Sequence, residues 1–565
     1  MSAASRLTGP GSPFELTHST SDGESLRRFK HGPQTLNDIY QRFTQAPQRQ
    51  FAICGSSSAS YGDVAHQAAN AAAALAHGFG VRAGTRVAIM LGNSPEWLTA
   101  FVAVTSLGAA AVLIPELEDA HQLRQVLETA RCAVLIANRE LVGELADAGC
   151  DIPAIVADAD ELACARHGGV SLAEMAAGMM SCLPRTAIDP EQEAVIAFTS
   201  GSTGSPKGIV LSHRCLTSGL MNMLLGRALS ALRGAKHSTS GRPSPAQSLP
   251  VSLLAAPFSY IAGYAHVLLM AYLGGTIITL PKWDAGSAVE VLAKEDVHAL
   301  AGATPVMMRE LLGVKHGKER LRRLRSVGLH GVALDRALLE ELLLTLPGTA
   351  ITTGYGMTET SGSVCVATGQ DLLDRPGTVG PVLPSVDLKL VRHDSDWQAA
   401  TGVGEIWLRG AMVMQGYCGQ PEGTREVLQD GWLRSGDLGR LDDEGLLYVL
   451  DRSQDVISIG TEHISCVLME QALLRIDALA QAAVFGIADA RHDEQFIVAA
   501  VPRQHRMVDT RLLRSHLCRI STAAASACQI LIIDHMPLTP SGKADRRKLR
   551  RLALAAAASG NDGAV

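Results

Sequence analysis

Short apolar runs alternate with longer stretches of helical period from Thr35 to about Asp189. Residues 86–90, with Val87, Ala88 and Ile89 at their centre, read as a strand, residues 95–107 as a helix and residues 110–114 as the next strand. Strands separated by helices predict a mostly parallel sheet covered on its faces by helices. The run 251–280 contains no formally charged residue, and by length alone it is long enough to cross a membrane. Pro257, Gly263 and the pair Gly274-Gly275 break it into strand, turn, short helix and strand, which predicts a buried α/β core and no transmembrane segment. After Gly377 the pattern changes to short strands between glycine turns, at 386–391, 404–409 and 446–450, and predicts a small β-rich subdomain. From Ser453 onward helix and strand patterns mix, up to an Ala-rich end at 553–558.

The fold class expected is therefore α/β: a large N-terminal domain with parallel-rich sheets flanked by helices plus a β-rich subdomain, followed by a small α+β C-terminal domain. At 565 residues the chain exceeds what one hydrophobic core supports, which agrees with more than one domain. The expected division is a disordered leader over 1–34, a core over 35–451, a C-terminal domain over 452–552 and a flexible tail over 553–565. The leader is rich in Ser, Gly and Pro and lacks the apolar core of a signal peptide. Residues 227–248, with Arg233, Lys236, His237 and Arg242 among Gly, Ser and Pro, read as a mobile insertion loop. A net charge of -6, from 50 Lys+Arg against 56 Asp+Glu, argues against nucleic acid held on a broad basic surface. Eleven cysteines without a CxxC pair, and no His cluster at zinc spacing, favour free thiols in a reducing cytoplasm.

The most informative segment is Ala197-Phe-Thr-Ser-Gly-Ser-Thr-Gly-Ser-Pro-Lys-Gly208, which leaves the end of an apolar run. Gly201, Gly204 and Gly208 remove side-chain obstruction, so backbone N–H groups can converge on an anion. Thr199, Ser200, Ser202 and Thr203 add hydroxyl donors, and Lys207 adds a positive charge. The segment is not a Walker A loop, because Pro206 precedes Lys207 and Gly208 follows it. Taken alone, a Ser/Gly-rich turn is more often a flexible linker than a nucleotide site.

Its company changes that balance. The loop resembles the phosphate-binding signature of the adenylate-forming superfamily, which contains acyl- and aryl-CoA synthetases, peptide-synthetase adenylation domains and beetle luciferases. Gly354-Tyr-Gly-Met-Thr-Glu-Thr360 is similar to the family's YGxTE motif, and Gly431-Trp-Leu-Arg-Ser-Gly-Asp437 to its GWxx[ST]GD motif. Asp451-Arg452 matches its ribose-side arginine, Pro537-Leu-Thr-Pro-Ser-Gly-Lys543 its C-terminal lysine motif, and Asn93-Ser-Pro-Glu-Trp97 its NSPEF segment. The matches keep the family's order from about Thr35 to Leu549 and are far more specific together than singly.

The resemblance implies an AMP-forming acid–thiol ligase with ATP and Mg²⁺ as cofactors. It places Thr199, Ser200, Gly201, Ser202, Thr203, Gly204 and Lys207 on the β- and γ-phosphates, Thr358 near the α-phosphate, Glu359 on the metal and Tyr355 against adenine. Asp437 and Arg452 would share the ribose, and Lys543 would stabilise charge in the adenylation step, as a flexible ammonium can. The resemblance also implies that the C-terminal domain is mobile, turning about Gln454, where the family usually has Asp or Lys.

Tyr260, Gly263, His330, Gly331 and Gly354 fall in segments that line the family's acid pocket. Tyr260 stands where many relatives have histidine, and His330 where glycine is usual. A substrate contact and a buried histidine satisfied by backbone carbonyls are both open for His330. Adenylation of α-amino acids needs a buried carboxylate to hold the ammonium. None occurs between Val251 and Leu280, which favours a fatty or aryl acid. The thiol would be that of CoA. Against that, Gly460-Thr-Glu-His-Ile-Ser-Cys-Val-Leu-Met-Glu470 departs from the CoA ligases' GGENIxPxEVE, so the phosphopantetheine of an acyl carrier protein is an alternative acceptor. The basic segment 227–248 is a candidate contact for such a carrier. A scaffold protein that keeps the fold without the chemistry is the rival from another class, and a luciferase-like oxygenase is a third.

Overall fold

The computed structural model describes residues 3–21, 24–115, 120–158, 170–180, 182–199, 206–234, 249–330, 334, 336–392, 402–452, 456–459, 462–489, 493–503, 506, 508–518, 528–538 and 544–558. These form two compact units. The first comprises Met1–Asp387 with Leu408–Leu433, and the second Leu388–Trp407 with Arg434–Val565.

The first unit is built on two eight-stranded sheets. One runs, from edge to edge, through Gly416–Tyr417, Lys207–Ser212, Glu193–Thr199, Ala110–Leu113, Arg86–Met90, Val134–Ala137, Ala154–Val156 and Val170–Ser171. It is parallel from Glu193–Thr199 onward and antiparallel at the edge where Lys207–Ser212 and Gly416–Tyr417 join. The other orders Gly362–Thr368, Ala350–Met357, Ser326–Leu329, Ala299–Ala303, Val251–Leu254, Thr276–Thr279, Gln50–Cys54 and Ser57–Ser60, with parallel pairing inside and an antiparallel pair at each end.

The helix Pro95–Ser106 shows why the pattern was readable. Ser94 accepts the Trp97 N–H and Pro95 occupies the first turn, a favourable start on both counts. Trp97, Leu98 and Phe101 are fully buried, and a helix apolar on every side belongs in an interior. Val251–Leu280 resolves as expected, into the strand Val251–Leu254, the helix Ile261–Leu273 and the strand Thr276–Thr279. Gly274, at φ 69°, closes that helix in the left-handed conformation. Among the described residues His213–Arg233 is long and apolar enough by composition to cross a membrane, but 61% of its apolar window is buried within the fold.

The structure departs from the sequence-based expectations at both ends of the chain and at the insertion. The N-terminal residues are not a featureless leader: Ala3–Thr8 is helical and Leu16–Ser21 pairs antiparallel with Glu24–Phe29. Charge anchors this hairpin. Arg27 binds Asp387 and the Pro384 carbonyl, and Arg28 reaches Glu191 at 2.9 Å. The start of the supposed insertion loop is also ordered, because the helix His213–Gly234 runs through Arg227 and Arg233. Leu225 and Leu229 extend its buried face, and Arg233 meets Asp371 at 3.4 Å. Residues 235–248 lie outside the described residues. Finally, the Ala-rich end is part of the helix Arg546–Ala558, whose Leu549, Ala553 and Ala556 are buried at helical spacing.

The second unit groups the β-rich subdomain with the C-terminal residues, whereas the sequence placed a boundary near 451. Its strands Leu446–Arg452, Trp432–Leu441, Gly404–Arg409 and Asp387–Val391 lie in that order. Farther along, Leu479–Asp489 pairs antiparallel with Asp493–Pro502, which pairs parallel with Cys528–Ile532. Residues alternate across this sheet. Phe496, Val498 and Ala500 pack with Cys466, Met469 and Leu513, while Ile497 and Ala499 pack with Leu549 and Ala553.

Candidate active site

In the first unit, the antiparallel pair Glu193–Thr199 and Lys207–Ser212 closes on Thr199 opposite Lys207. The hairpin thus fixes both ends of the phosphate-loop segment, while Ser200, Gly201, Ser202, Thr203 and Gly204 lie outside the described residues. A Cβ on Gly208 would stand 2.7 Å from Phe198 Cζ and 3.0 Å from Cys418 Cβ, so the close approach of three strands here depends on glycine. The third strand is Gly416–Tyr417, opposite Ile209 and Val210, and the Cys418 N–H donates to the Gly208 carbonyl at 2.7 Å.

That edge strand brings the second motif to the first. Tyr417 donates its hydroxyl to Glu359 Oε1 at 3.2 Å, and the Lys207 ammonium lies 5.2 Å from the centre of the Tyr417 ring. The Met414 N–H donates to the Glu359 carbonyl at 2.8 Å, and Ser361 Oγ donates to the Met412 carbonyl at 2.9 Å. Thr358, Glu359 and Thr360 form a 3-10 turn that ends at Ser361, at φ 51°. Thr360, fully buried, ties the turn together: its hydroxyl accepts the Met357 N–H at 3.0 Å and donates to the Gly362 carbonyl at 2.8 Å. Sequence reasoning missed both Tyr417 and Thr360.

Tyr355 is buried on the strand Ala350–Met357, opposite Cys365. The side of Gly354 that would carry a Cβ is filled by the Cys365 carbonyl, so this glycine admits a neighbouring strand rather than facing open space. Tyr260 begins the helix Ile261–Leu273, and the Gly263 N–H donates to its carbonyl at 2.8 Å. A Cβ on Gly263 would overlap the Pro257 carbonyl. Asn93 holds this turn from another element: its Oδ1 accepts the Phe258 N–H at 2.7 Å and its Nδ2 donates to Thr279 Oγ1 at 2.7 Å. Tyr264, one residue beyond Gly263, is wholly buried. Burial first and the Glu359 charge second push its phenol pKa up.

His330 takes the backbone-satisfied course. Its Nε2–H donates to the Gly302 carbonyl at 2.6 Å, and its own N–H donates to the Ala303 carbonyl at 3.0 Å. Gly302, at φ 69°, sits where the strand Ala299–Ala303 slips register against Ser326–Leu329, and this irregularity coincides with the carbonyl that meets the imidazole. Gly331 lies outside the described residues.

The second unit holds the pair Asp437 and Arg452, for which the sequence implied a ribose contact. Asp437 and Arg452 stand opposite each other on antiparallel strands, with Arg452 Nε 3.4 Å from Asp437 Oδ1. Asp437 is buried and its N–H donates to Ser435 Oγ at 3.0 Å, across Gly436 at φ 71°. Lys543 and Gln454 lie outside the described residues. The chain on either side of 539–543 is pinned by a bridge between Leu538 and Ala544 and by the Asp545 N–H on the Pro537 carbonyl at 2.7 Å. Glu470, from the segment that departs from the CoA ligases, accepts the Val484 N–H at 2.8 Å and lies 3.3 Å from Arg546. Burial, only partly offset by Arg546 and the Val484 N–H, raises its pKa to about 7.

Two groups of motifs thus sit on two units, of which the first is built on parallel-rich sheets. Residues 39–418 match the family described as AMP-binding enzyme, and residues 468–543 match the AMP-binding enzyme C-terminal domain. The chain belongs to the AMP-binding enzyme family. It is 26% identical over 522 residues to 4-coumarate–CoA ligase 5 of Oryza sativa, covering 91% of this chain and 93% of the relative. It is 28% identical to a 2-succinylbenzoate–CoA ligase of Bacillus cereus, with 84% and 89% covered. With the long-chain-fatty-acid–CoA ligase FadD13 of Mycobacterium tuberculosis it shares 26% identity, over 85% and 91%. Among solved structures it resembles the anthranilate CoA ligase AuaEII in complex with anthranoyl-AMP. That match has a TM-score of 0.78 at 23% identity, with 93% of this chain and 98% of the other covered.

Proposed function

We propose that the chain joins a fatty or aryl carboxylic acid to AMP and then passes the acyl group to the thiol of CoA. In the first step a carboxylate oxygen attacks the ATP α-phosphorus. The new O–P bond forms as the bond to the pyrophosphate oxygen breaks. In the second step the thiol, giving up its proton, attacks the acyl carbon, and AMP leaves with the electron pair of the C–O bond. The observation that carries this reading is the cluster Lys207, Tyr417 and Glu359, which joins two motifs that are about 150 residues apart in sequence.

Each residue has a physical task. Lys207 and the hydroxyls of Thr199 to Thr203 would hold phosphate oxygens, since charge-assisted contacts position a triphosphate for in-line attack. Glu359 is a hard oxygen donor, and a single carboxylate suits Mg²⁺, which otherwise keeps phosphate and water ligands. When bound, the ion would supply neutralising charge at the phosphates. Asp437 would accept from the ribose hydroxyls beside Arg452, and Lys543 would stabilise the charge that develops between carboxylate and α-phosphate. Lys543 would leave after the first step as the C-terminal domain turns at Gln454.

The helix Ile261–Leu273 supports an acid without an ammonium group. It carries no carboxylate, and burial, with Arg227 adding repulsion, pushes its His266 down to about 3, so the imidazole is neutral. The relatives named for aryl and fatty acids point the same way. The described cysteines are all free, in keeping with a cytoplasmic site of action.

ATP–pyrophosphate exchange across fatty, aryl and amino acids tests the proposal. Exchange is expected with one class of non-amino acid and is expected to fall at least about a hundredfold in Lys543→Ala. No exchange from folded protein that binds ATP would favour the scaffold alternative, and a thioester formed on a carrier protein but not on CoA would correct the acceptor.

A further inference from the structure

Tyr417 belongs to none of the motifs that carry the family resemblance, yet it touches residues from two of them. Its ring faces the Lys207 ammonium and its hydroxyl meets the Glu359 carboxylate. A ring face attracts a cation through its quadrupole, and a phenol donates well to an ionised acid, so the two contacts use different properties of one side chain.

The tyrosine itself is held from several directions. Its backbone pairs with Ile209, and its N–H donates to Thr424 Oγ1 at 2.9 Å. That hydroxyl in turn donates to the Gln420 carbonyl at 2.8 Å. Gly416 lets Thr424 come this close, since a Cβ there would lie 2.6 Å from Thr424 Cγ2. Glu359 is held twice by the same short segment, through its carbonyl by Met414 and through its carboxylate by Tyr417.

We propose that Tyr417 is a positioning residue that sets the metal-binding carboxylate of Glu359 and the phosphate-binding ammonium of Lys207 at a fixed separation before nucleotide arrives. The inference rests on the adenylation reading for the identity of the metal and the nucleotide. A carboxylate already confined to one rotamer loses less entropy when it takes up a cation. A partly buried ring 5.2 Å away holds an ammonium only weakly, so a phosphate displaces it from a lysine that is already in place.

Tyr417→Phe removes the hydroxyl and keeps the ring, and Tyr417→Leu removes both. The full chain is titrated with Mn²⁺ in the presence of ATP, free Mn²⁺ being read by electron paramagnetic resonance, and with ATP in EDTA by calorimetry. Tyr417→Phe is expected to weaken Mn²⁺ binding about tenfold while leaving metal-free ATP affinity within about twofold of wild type. Tyr417→Leu is expected also to weaken metal-free ATP binding about threefold. Wild-type Mn²⁺ affinity in Tyr417→Phe overturns the inference. So does equal loss of both affinities in both variants with lowered melting temperatures, which would mark a merely structural residue. If the affinities shift as expected while wild type catalyses no pyrophosphate exchange, the inference stands and the adenylation reading falls. A wild-type chain that binds no Mn²⁺ with ATP overturns both.

Discussion

Single residues differ in how openly they announce their work. Thr199, Lys207, Glu359, Asp437 and Arg452 could be singled out in the sequence because each sits in a motif that resembles one of the family's, and their contacts with phosphate, metal and ribose are what we propose. For Asp437 the structure adds a pairing that the sequence only suggested. Asp437→Asn keeps the shape but removes the charge and one acceptor oxygen. In pyrophosphate exchange the KM for ATP should rise roughly tenfold or more with kcat much less affected, because the proposed ribose contact would be made equally in ground and transition states. Arg452 is half exposed, so losing its counterion should cost little stability. His330 was ambiguous for a physical reason: a histidine's role depends on which carbonyl its ring can reach, and here that carbonyl comes from an irregular stretch of a neighbouring strand. Tyr417 was invisible because its partners arrive from elements remote in sequence.

At the scale of elements, turn chemistry and apolar runs were good guides, and long-range charge was a poor one. Pro257, Gly263 and Gly274-Gly275 punctuated the uncharged run correctly because each residue has a backbone duty. Gly263→Ala would drive a methyl group into the Pro257 carbonyl. The strain should destabilise the fold by about 2–3 kcal/mol and lower the urea midpoint of the first unfolding transition. The N-terminal hairpin was missed because its anchors, Asp387 and Glu191, lie far along the chain.

The helix Cys466–Leu473 carries a further testable element, Glu470. Its folded pKa, raised to about 7 from the ordinary 4.5, means that between these values the native state holds a proton which the unfolded chain has released. Its contribution to stability is therefore fully present below about pH 4.5 and is lost as pH rises through about 7. Glu470→Gln keeps an acceptor for the Val484 N–H and cannot ionise. The melting temperature of the variant should gain on wild type as pH rises from about 4.5 to 7, and thermal scans across that window check it.

For the whole molecule, the large α/β core was readable because parallel strands buried on both faces appear as compact apolar runs separated by helical periods. The grouping of the β-rich strands was not readable. The chain changes pattern after Gly377, but which body a strand joins is decided by partners that appear later. Leu388–Trp407 belongs with Arg434–Val565, and the chain returns to the first unit between them through Leu408–Leu433.

That double crossing matters while the protein is being made. The strand Gly404–Arg409 is complete 23 residues before its neighbour Trp432–Leu441 begins. At ordinary rates of synthesis the ribosome needs about 1–5 s to supply that neighbour, and longer to supply the helix Cys466–Leu473 that follows. The buried Ile406 therefore lacks one of its two strand neighbours on a nascent chain whose first unit has most of its parts. The second unit can close only near the end of translation, and the interval before that is when this enzyme is most open to chaperones and to mispairing.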